Sequence, residues 1–156
     1  MSARDGVILR GEDATLAFGA RLARGVHGGG LVFLSGDLGT GKTTLVRGLL
    51  RGLGHAGAVR SPTFTLVEPY PELDPPVYHL DLYRLGSAEE LELIGVRDYL
   101  VPGTLCLVEW PERGAGVVDR PDLGIALAHA GAARRLAVTA ATPRGEKMAS
   151  AALGGS

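Results

Sequence analysis

Apolar residues fall in short blocks separated by glycine and polar turns, and the blocks carry two different periods. Leu31 to Leu34 and Thr104 to Val108 are nearly continuous apolar runs of strand length, the pattern of strands covered on both faces of a parallel sheet. Thr43 to Leu53 instead repeats Leu45, Val46, Leu49, Leu50 and Leu53 at helical spacing and stops at Gly54, which predicts an amphipathic helix with a glycine end. Upstream, Val7 to Leu9 reads as a short strand. Gly11, Glu12 and Asp13 then supply a turn and cap for a helix over Ala14 to Arg24, with Leu16, Ala20 and Ala23 on one face.

The second half is built from shorter pieces. Phe64 to Tyr70 and Val77 to Tyr83 read as two strands joined in an antiparallel hairpin by the proline-rich segment PELDPP. Ser87, three residues before Glu90, predicts a capping box on a helix carrying Leu91 and Ile94, followed by a short helix over Val96 to Leu100. Ile125 to His129 and Leu136 to Thr139 predict a closing hairpin around residues 130–135, and Glu146 to Leu153 a last helix.

Length and composition narrow the picture. At 156 residues the chain suits one domain over residues 1–156, with a tail from about residue 145 that is either helical or loosely ordered, and it buries roughly two-thirds of its unfolded surface. Lysine and arginine total 16 against 17 acidic residues, so net charge does not advertise DNA or another polyanion. Cys106 is the single cysteine and lies inside an apolar run, which excludes an intramolecular disulfide and a cysteine zinc cluster and suits a reducing cytoplasm. No apolar stretch approaches the ~20 residues of a membrane span, and the N-terminus lacks a signal core. His27, His55 and His129 have no ligand spacing.

The chemistry is concentrated in GDLGTGKTT, from Gly36 to Thr44. Gly36, Gly41, Lys42 and Thr43 satisfy G-x-x-x-x-G-K-S/T, with Gly39 in addition. Glycines let the backbone turn its amides toward an anion, and the following helix presents its positive end. Asp37, Leu38, Thr40 and Thr44 complete this cradle; Lys42 adds a cation for the outer phosphates and Thr43 a hydroxyl for Mg²⁺. A glycine turn that merely links strand to helix is the bland reading. Against it stand the strand before, the helix after, and the use of lysine, otherwise found only at Lys147, where a compact ammonium is wanted. The order strand, loop, helix predicts an α/β fold of the P-loop NTPase type, a three-layer sandwich whose mixed, mainly parallel sheet carries antiparallel hairpin strands.

A phosphate loop also needs an acidic group near its metal, at the end of a neighbouring strand. Glu109, after Leu105 to Val108, and Asp81 in HLDLY both qualify; the alternatives are a solvated strand end for Glu109 and an ion pair with Arg84 for Asp81. In HLDLY, alternation puts His79, Asp81 and Tyr83 on one strand face, where His79 reads as a hydrogen-bonded strand residue rather than a base. Ser61, Thr63 and Thr65 in SPTFTL form either a phosphate sensor or a hydroxyl-rich turn. Trp110 forms a wall of the site or a partner contact. The chain contains neither asparagine nor glutamine, which excludes an N-K-x-D guanine motif and a water-positioning glutamine. ATP is therefore favoured over GTP, with slow unaided hydrolysis. A small-molecule or nucleoside kinase, with the arginines of Glu112 to Arg120 as a lid, is the alternative; a nucleotide-sensing adaptor is a third reading.

The series GDLGTGKTT, SPTFTLVEPY, YHLDLYRL, EELELIGVRDYL and LVEWPERG, in this order, resembles the TsaE family, also called YjeE, from the region of Glu12 to about Gly116. That resemblance implies a small cytoplasmic ATPase of bacterial N6-threonylcarbamoyladenosine (t6A) synthesis at adenosine 37 of tRNA. Such a protein supports the TsaB and TsaD pair without itself transferring the threonylcarbamoyl group, and meets tRNA weakly or indirectly. By motif, it implies that Gly39 to Thr44 with Lys42 hold ATP and that Thr43 and Glu109 hold Mg²⁺. It further implies that Asp81 supports hydrolysis, that Trp110 serves activity or partner contact, and that Glu12 lies near the nucleotide.

Overall fold

The computed structural model describes residues 2–62, 65–118 and 120–154. Its strands are β1 (Ser2–Leu9), β2 (Gly30–Ser35), β3 (Val67–Tyr70), β4 (Val77–Asp81), β5 (Leu105–Glu109), β6 (Leu123–Ala130) and β7 (Ala133–Ala140). They form one sheet in the order β1-β7-β6-β2-β5-β4-β3. The four central strands β6, β2, β5 and β4 run parallel, while β3 at one edge and β7 and β1 at the other are antiparallel to their neighbours. Central position explains the unbroken apolar runs: all five residues of β5 are buried.

Helices α1 (Glu12–Leu22), α2 (Lys42–Gly52) and α4 (Pro143–Ala152) cover one face. Phe18, Leu22, Leu45, Leu49 and Met148 pack there with Val32, Leu34, Leu105, Leu107 and Ile125. The other face is covered by shorter pieces, α3 (Glu89–Leu93) and 3-10 turns at Val96–Asp98 and Pro111–Gly114. Leu91, Val96 and Val118 meet Leu80, Leu82 and Val108 there, with Leu31 and Phe33 packed alongside. Alternation along β2 thus feeds two cores, and the architecture is the three-layer sandwich expected.

Local departures have local causes. The buried stripe of α1 is Thr15, Phe18, Gly19 and Leu22, rotated from the expected Leu16 and Ala20, while Ala23 is buried as expected in the 3-10 turn that follows. Gly19 and Gly48 let the two helix backbones approach: a Cβ on either would lie 2.2 Å from a carbonyl oxygen, of Leu45 or Leu16 respectively. The line of contact therefore runs through a glycine that hydrophobicity alone passes over. The Ser87 capping box does not form; Glu90 Oε1 instead accepts from the Gly86 amide at 2.9 Å, and α3 has no side-chain cap. Strand β3 begins only at Val67, leaving out Thr65 and Leu66, while Phe64 lies outside the described residues; β4 stops at Asp81 because its Oδ1 accepts from the Tyr83 amide at 3.0 Å. Tyr83 consequently leaves the face shared by His79 and Asp81. The final hairpin turns over Gly131 and Ala132, tighter than expected, so Arg134 and Arg135 lie within β7. Helix α4 begins at Pro143, capped by Thr142, whose Oγ1 accepts from the Gly145 amide at 3.0 Å.

Candidate functional site

The carboxyl end of β2 runs into the glycine loop, and the loop into α2. Gly36 and Gly41 have φ of 140° and 103°, values that a side chain strains against. At Gly36 space forbids one as well: a Cβ would lie 2.3 Å from the Leu127 carbonyl oxygen of neighbouring β6. Thr40, fully buried, ties the loop together by donating its hydroxyl to the Asp37 carbonyl at 2.8 Å. Lys42, the first residue of α2, folds back so that Nζ donates to the carbonyls of Gly36 and Asp37, and it stands 4.4 Å from the centre of the Trp110 ring. Burial lowers the pKa of this ammonium, while nearby Glu109, Asp81, Asp37 and Glu112 oppose the shift.

Two carboxylates face the loop from the ends of adjacent parallel strands, with Asp81 opposite Glu109 in register. Both are buried, at 6 % and 3 % exposure. Glu109 Oε2 accepts from His79 Nε2 at 2.6 Å and from the Thr43 hydroxyl at 3.4 Å. Burial raises the pKa of Asp81; the Tyr83 amide acts in the opposite sense, and Glu109 adds to the rise. Among the described residues no three His, Cys, Asp or Glu side chains gather as a metal cage. A hydroxyl and one carboxylate converging beside a phosphate cradle nevertheless fit Mg²⁺, which is held by few protein groups and completed by phosphate and water oxygens.

Around these groups lies a cavity of about 610 Å³, lined by Leu38 to Thr44, Ser61, Asp81, Tyr83, Arg84, Glu109 and Trp110. Trp110 has a φ of 57°, unusual for a bulky residue and of the kind that gathers at functional sites. Its ring lies 5.0 Å from that of Tyr83, and the Arg113 guanidinium is 5.5 Å from the other aromatic centre of this pair, at Tyr83. A smaller cavity of about 200 Å³ on the other side of the loop is lined by Glu12, Thr15, Thr44 and Arg134 among others. Glu12 there accepts from Arg47 Nη2 at 2.5 Å.

The structure thus gathers Asp81, Lys42, Thr43, Glu109 and Trp110 with the loop, and sets Glu12 beside it. Thr65 is not among the cavity residues; its hydroxyl donates to the Val67 carbonyl at 3.2 Å. Thr63 lies outside the described residues. Arg134, which the sequence places only near the closing hairpin, donates to the Gly39 carbonyl at 3.3 Å. Only the adjacency of β6 to β2 brings it there, and neither spacing nor composition carries that signal. Tyr83 and Arg84 also line the cavity, and Arg113 lies over the Tyr83 ring; HLDLY and WPERG contain Tyr83 and Arg113 but do not by themselves bring the two together.

Residues 9–137 match the family model described as "Threonylcarbamoyl adenosine biosynthesis protein TsaE". The chain belongs to the TsaE family. The tRNA threonylcarbamoyladenosine biosynthesis protein TsaE of Haemophilus influenzae is 47 % identical over 121 residues, covering 78 % of this chain and 77 % of that protein. The protein of the same name from Nostoc is 42 % identical over 111 residues, covering 69 % and 68 %. The crystal structure of Bacillus subtilis YdiB superposes with a TM-score of 0.78 at 28 % identity, covering 99 % of this chain and 97 % of that one. The TsaE match includes the loop, Asp81, Glu109 and Trp110, and it stops short of α4.

Proposed function

We propose that this protein binds ATP with Mg²⁺ at the glycine loop and hydrolyses it slowly in the service of t6A synthesis on tRNA, as an accessory to the TsaB and TsaD pair in the cytoplasm. The observation that carries this reading is the convergence of Lys42, Thr43, Asp81 and Glu109 on one cavity at the carboxyl ends of β2, β4 and β5, in a chain of the TsaE family. The pathway comes from the names that its relatives carry. The whole chain acts as a single domain.

ATP with Mg²⁺ supplies the phosphoryl group and a cation that offsets its charge. The chain's own residues do the rest. Gly36 to Thr44 wrap the phosphates, and Lys42 exchanges the carbonyls of Gly36 and Asp37 for phosphate oxygens. Thr43 and Glu109 hold the cation. Asp81 accepts a proton from the attacking water, since burial increases its affinity for one. No glutamine is present to orient that water, so basal turnover is slow and responds to the partner.

Phosphate release from purified protein with ATP and Mg²⁺, with and without TsaB and TsaD, tests the reading. Slow release that changes with the pair supports it. Release indifferent to them counts against the accessory role, and phosphorylation of an added nucleoside would replace it with a kinase. Depleting the protein in cells should lower t6A in tRNA measured by mass spectrometry; an unchanged level would remove the pathway and leave the ATPase.

A further inference from the structure

Strand β4 carries three side chains toward the α2 face in sequence: Val77, His79 and Asp81. Val77 belongs to the apolar core with Leu105 and Leu107 of β5, and Asp81 faces the cavity. His79 lies between them, fully buried at 0 % exposure and outside the cavity lining. Its register partner on β5 is Leu107, one step below Glu109 on the same face. From there its Nε2 reaches up to Glu109 Oε2 at 2.6 Å. An ionised carboxylate can only accept, so Nε2 carries the proton and donates it. His79 Nδ1 is buried with no hydrogen-bond partner. A buried polar side chain left half satisfied is expensive, and a leucine would fill this layer without that cost.

We propose that His79 is a positioning residue for the metal carboxylate: by holding Oε2 of Glu109, it fixes the rotamer that keeps Glu109 beside Thr43. The inference rests on reading Thr43 and Glu109 as the Mg²⁺ ligands. Glu109 has three side-chain torsions, and β5 fixes only its backbone. Without a second tether its carboxylate can swing toward the Lys42 ammonium, which lines the same cavity. A short bond from a rigid ring on the neighbouring strand removes that freedom. Hydrogen-bond partners behind metal ligands have this effect elsewhere, and losing one weakens metal binding about 10- to 100-fold.

The test measures Mn²⁺ affinity by water-proton relaxation, with a non-hydrolysable ATP analogue present, alongside analogue affinity in EDTA. His79→Phe and His79→Met, two shapes without the N–H, should weaken Mn²⁺ binding about 10- to 100-fold and leave analogue affinity in EDTA within about twofold. His79→Gln, which restores a donor, should recover at least part of that loss. Wild-type Mn²⁺ affinity in either donor-less variant, with Glu109→Gln weakened as expected, overturns the role of His79 and leaves the metal reading standing. Wild-type affinity in Glu109→Gln overturns the metal reading and the inference with it. Should both donor-less variants fail to fold, the imidazole NMR of the wild-type chain decides. The His79 Nε2 proton should shift when Mg²⁺ joins the bound analogue and stay put in Glu109→Gln; a proton indifferent to Mg²⁺ overturns the proposal.

Discussion

Asp122 and Glu109 lie at opposite ends of the central strands, and each gathers a polar network of a different kind. That of Asp122 is closed: Oδ2 accepts from the Leu31 amide at 2.8 Å and Oδ1 from the Thr142 hydroxyl at 2.7 Å, while Thr142 in turn caps α4. Both carboxylate bonds tie distant stretches of the chain together. At Glu109 the carboxylate instead faces a second carboxylate, a buried ammonium and a histidine with one bare nitrogen. The buried side chains Thr15, Thr40, Lys42, His79, Asp81 and Glu109 are found at this end or next to its loop. One end spends its polar groups on holding the fold. The other keeps charges that burial disfavours, the Lys42 ammonium pushed down and the Asp81 carboxyl up, which costs stability and makes sense where a ligand completes them.

Substitutions at the two ends should therefore separate activity from stability. The largest effect is expected at the loop: Lys42→Ala should lower ATP hydrolysis at least about a hundredfold, a barrier rise of roughly 2.7 kcal/mol, with little change in melting temperature. Near-normal turnover in a steady-state phosphate assay would break the assignment of this end to chemistry. Asp81→Asn keeps the acceptor for the Tyr83 amide and removes the base, so single-turnover hydrolysis should fall about a hundredfold. Calorimetry should at the same time show the variant melting above wild type, because a buried charge has gone. A variant less stable than wild type would mean that Asp81 helps hold the fold.

At the opposite end the signs reverse. Asp122→Ala leaves the Leu31 amide and the Thr142 hydroxyl without their partner and should cost about 1–3 kcal/mol in urea unfolding, with ATP affinity unchanged. Loss of binding without loss of stability would couple the two ends and dissolve the contrast. The smallest effect is a pH dependence. Since the folded pKa of Asp81 lies above its ordinary 3.8, the folded state holds more protons than the unfolded one between those two values. The stability advantage of Asp81→Asn should then be constant above the raised pKa, shrink as pH falls through this window, and level off below about 3.8. An advantage that grows on acidification would give Asp81 a shift of the opposite sign.

Most of the central fold was legible because period and burial coincide there. Strands covered on both faces read as apolar runs, and α2 reads as a helix because one face of it meets the sheet. Where packing is decided by backbone approach, the reading shifted: hydrophobicity put the face of α1 on Leu16 and Ala20, whereas Gly19 against Gly48 set it. The same holds for Ser87, whose capping pattern yielded to an equally local bond from Glu90 to Gly86, and for Tyr83, which the Asp81 turn removes from β4.

What the sequence determined alone was the loop, the strand that feeds it, the helix that follows, and the family, because each rests on residue identity at fixed spacing along the chain. Strand order and neighbourhood belong to tertiary structure. Placing β5 between β2 and β4 turns Asp81 and Glu109, 28 positions apart, into register partners. Placing β6 beside β2 brings Arg134 to Gly39. His79 shows the division most clearly: alternation assigns its strand face, but its bond to Glu109 exists only because two strands distant along the chain lie side by side, and no pattern local to either one encodes that distance.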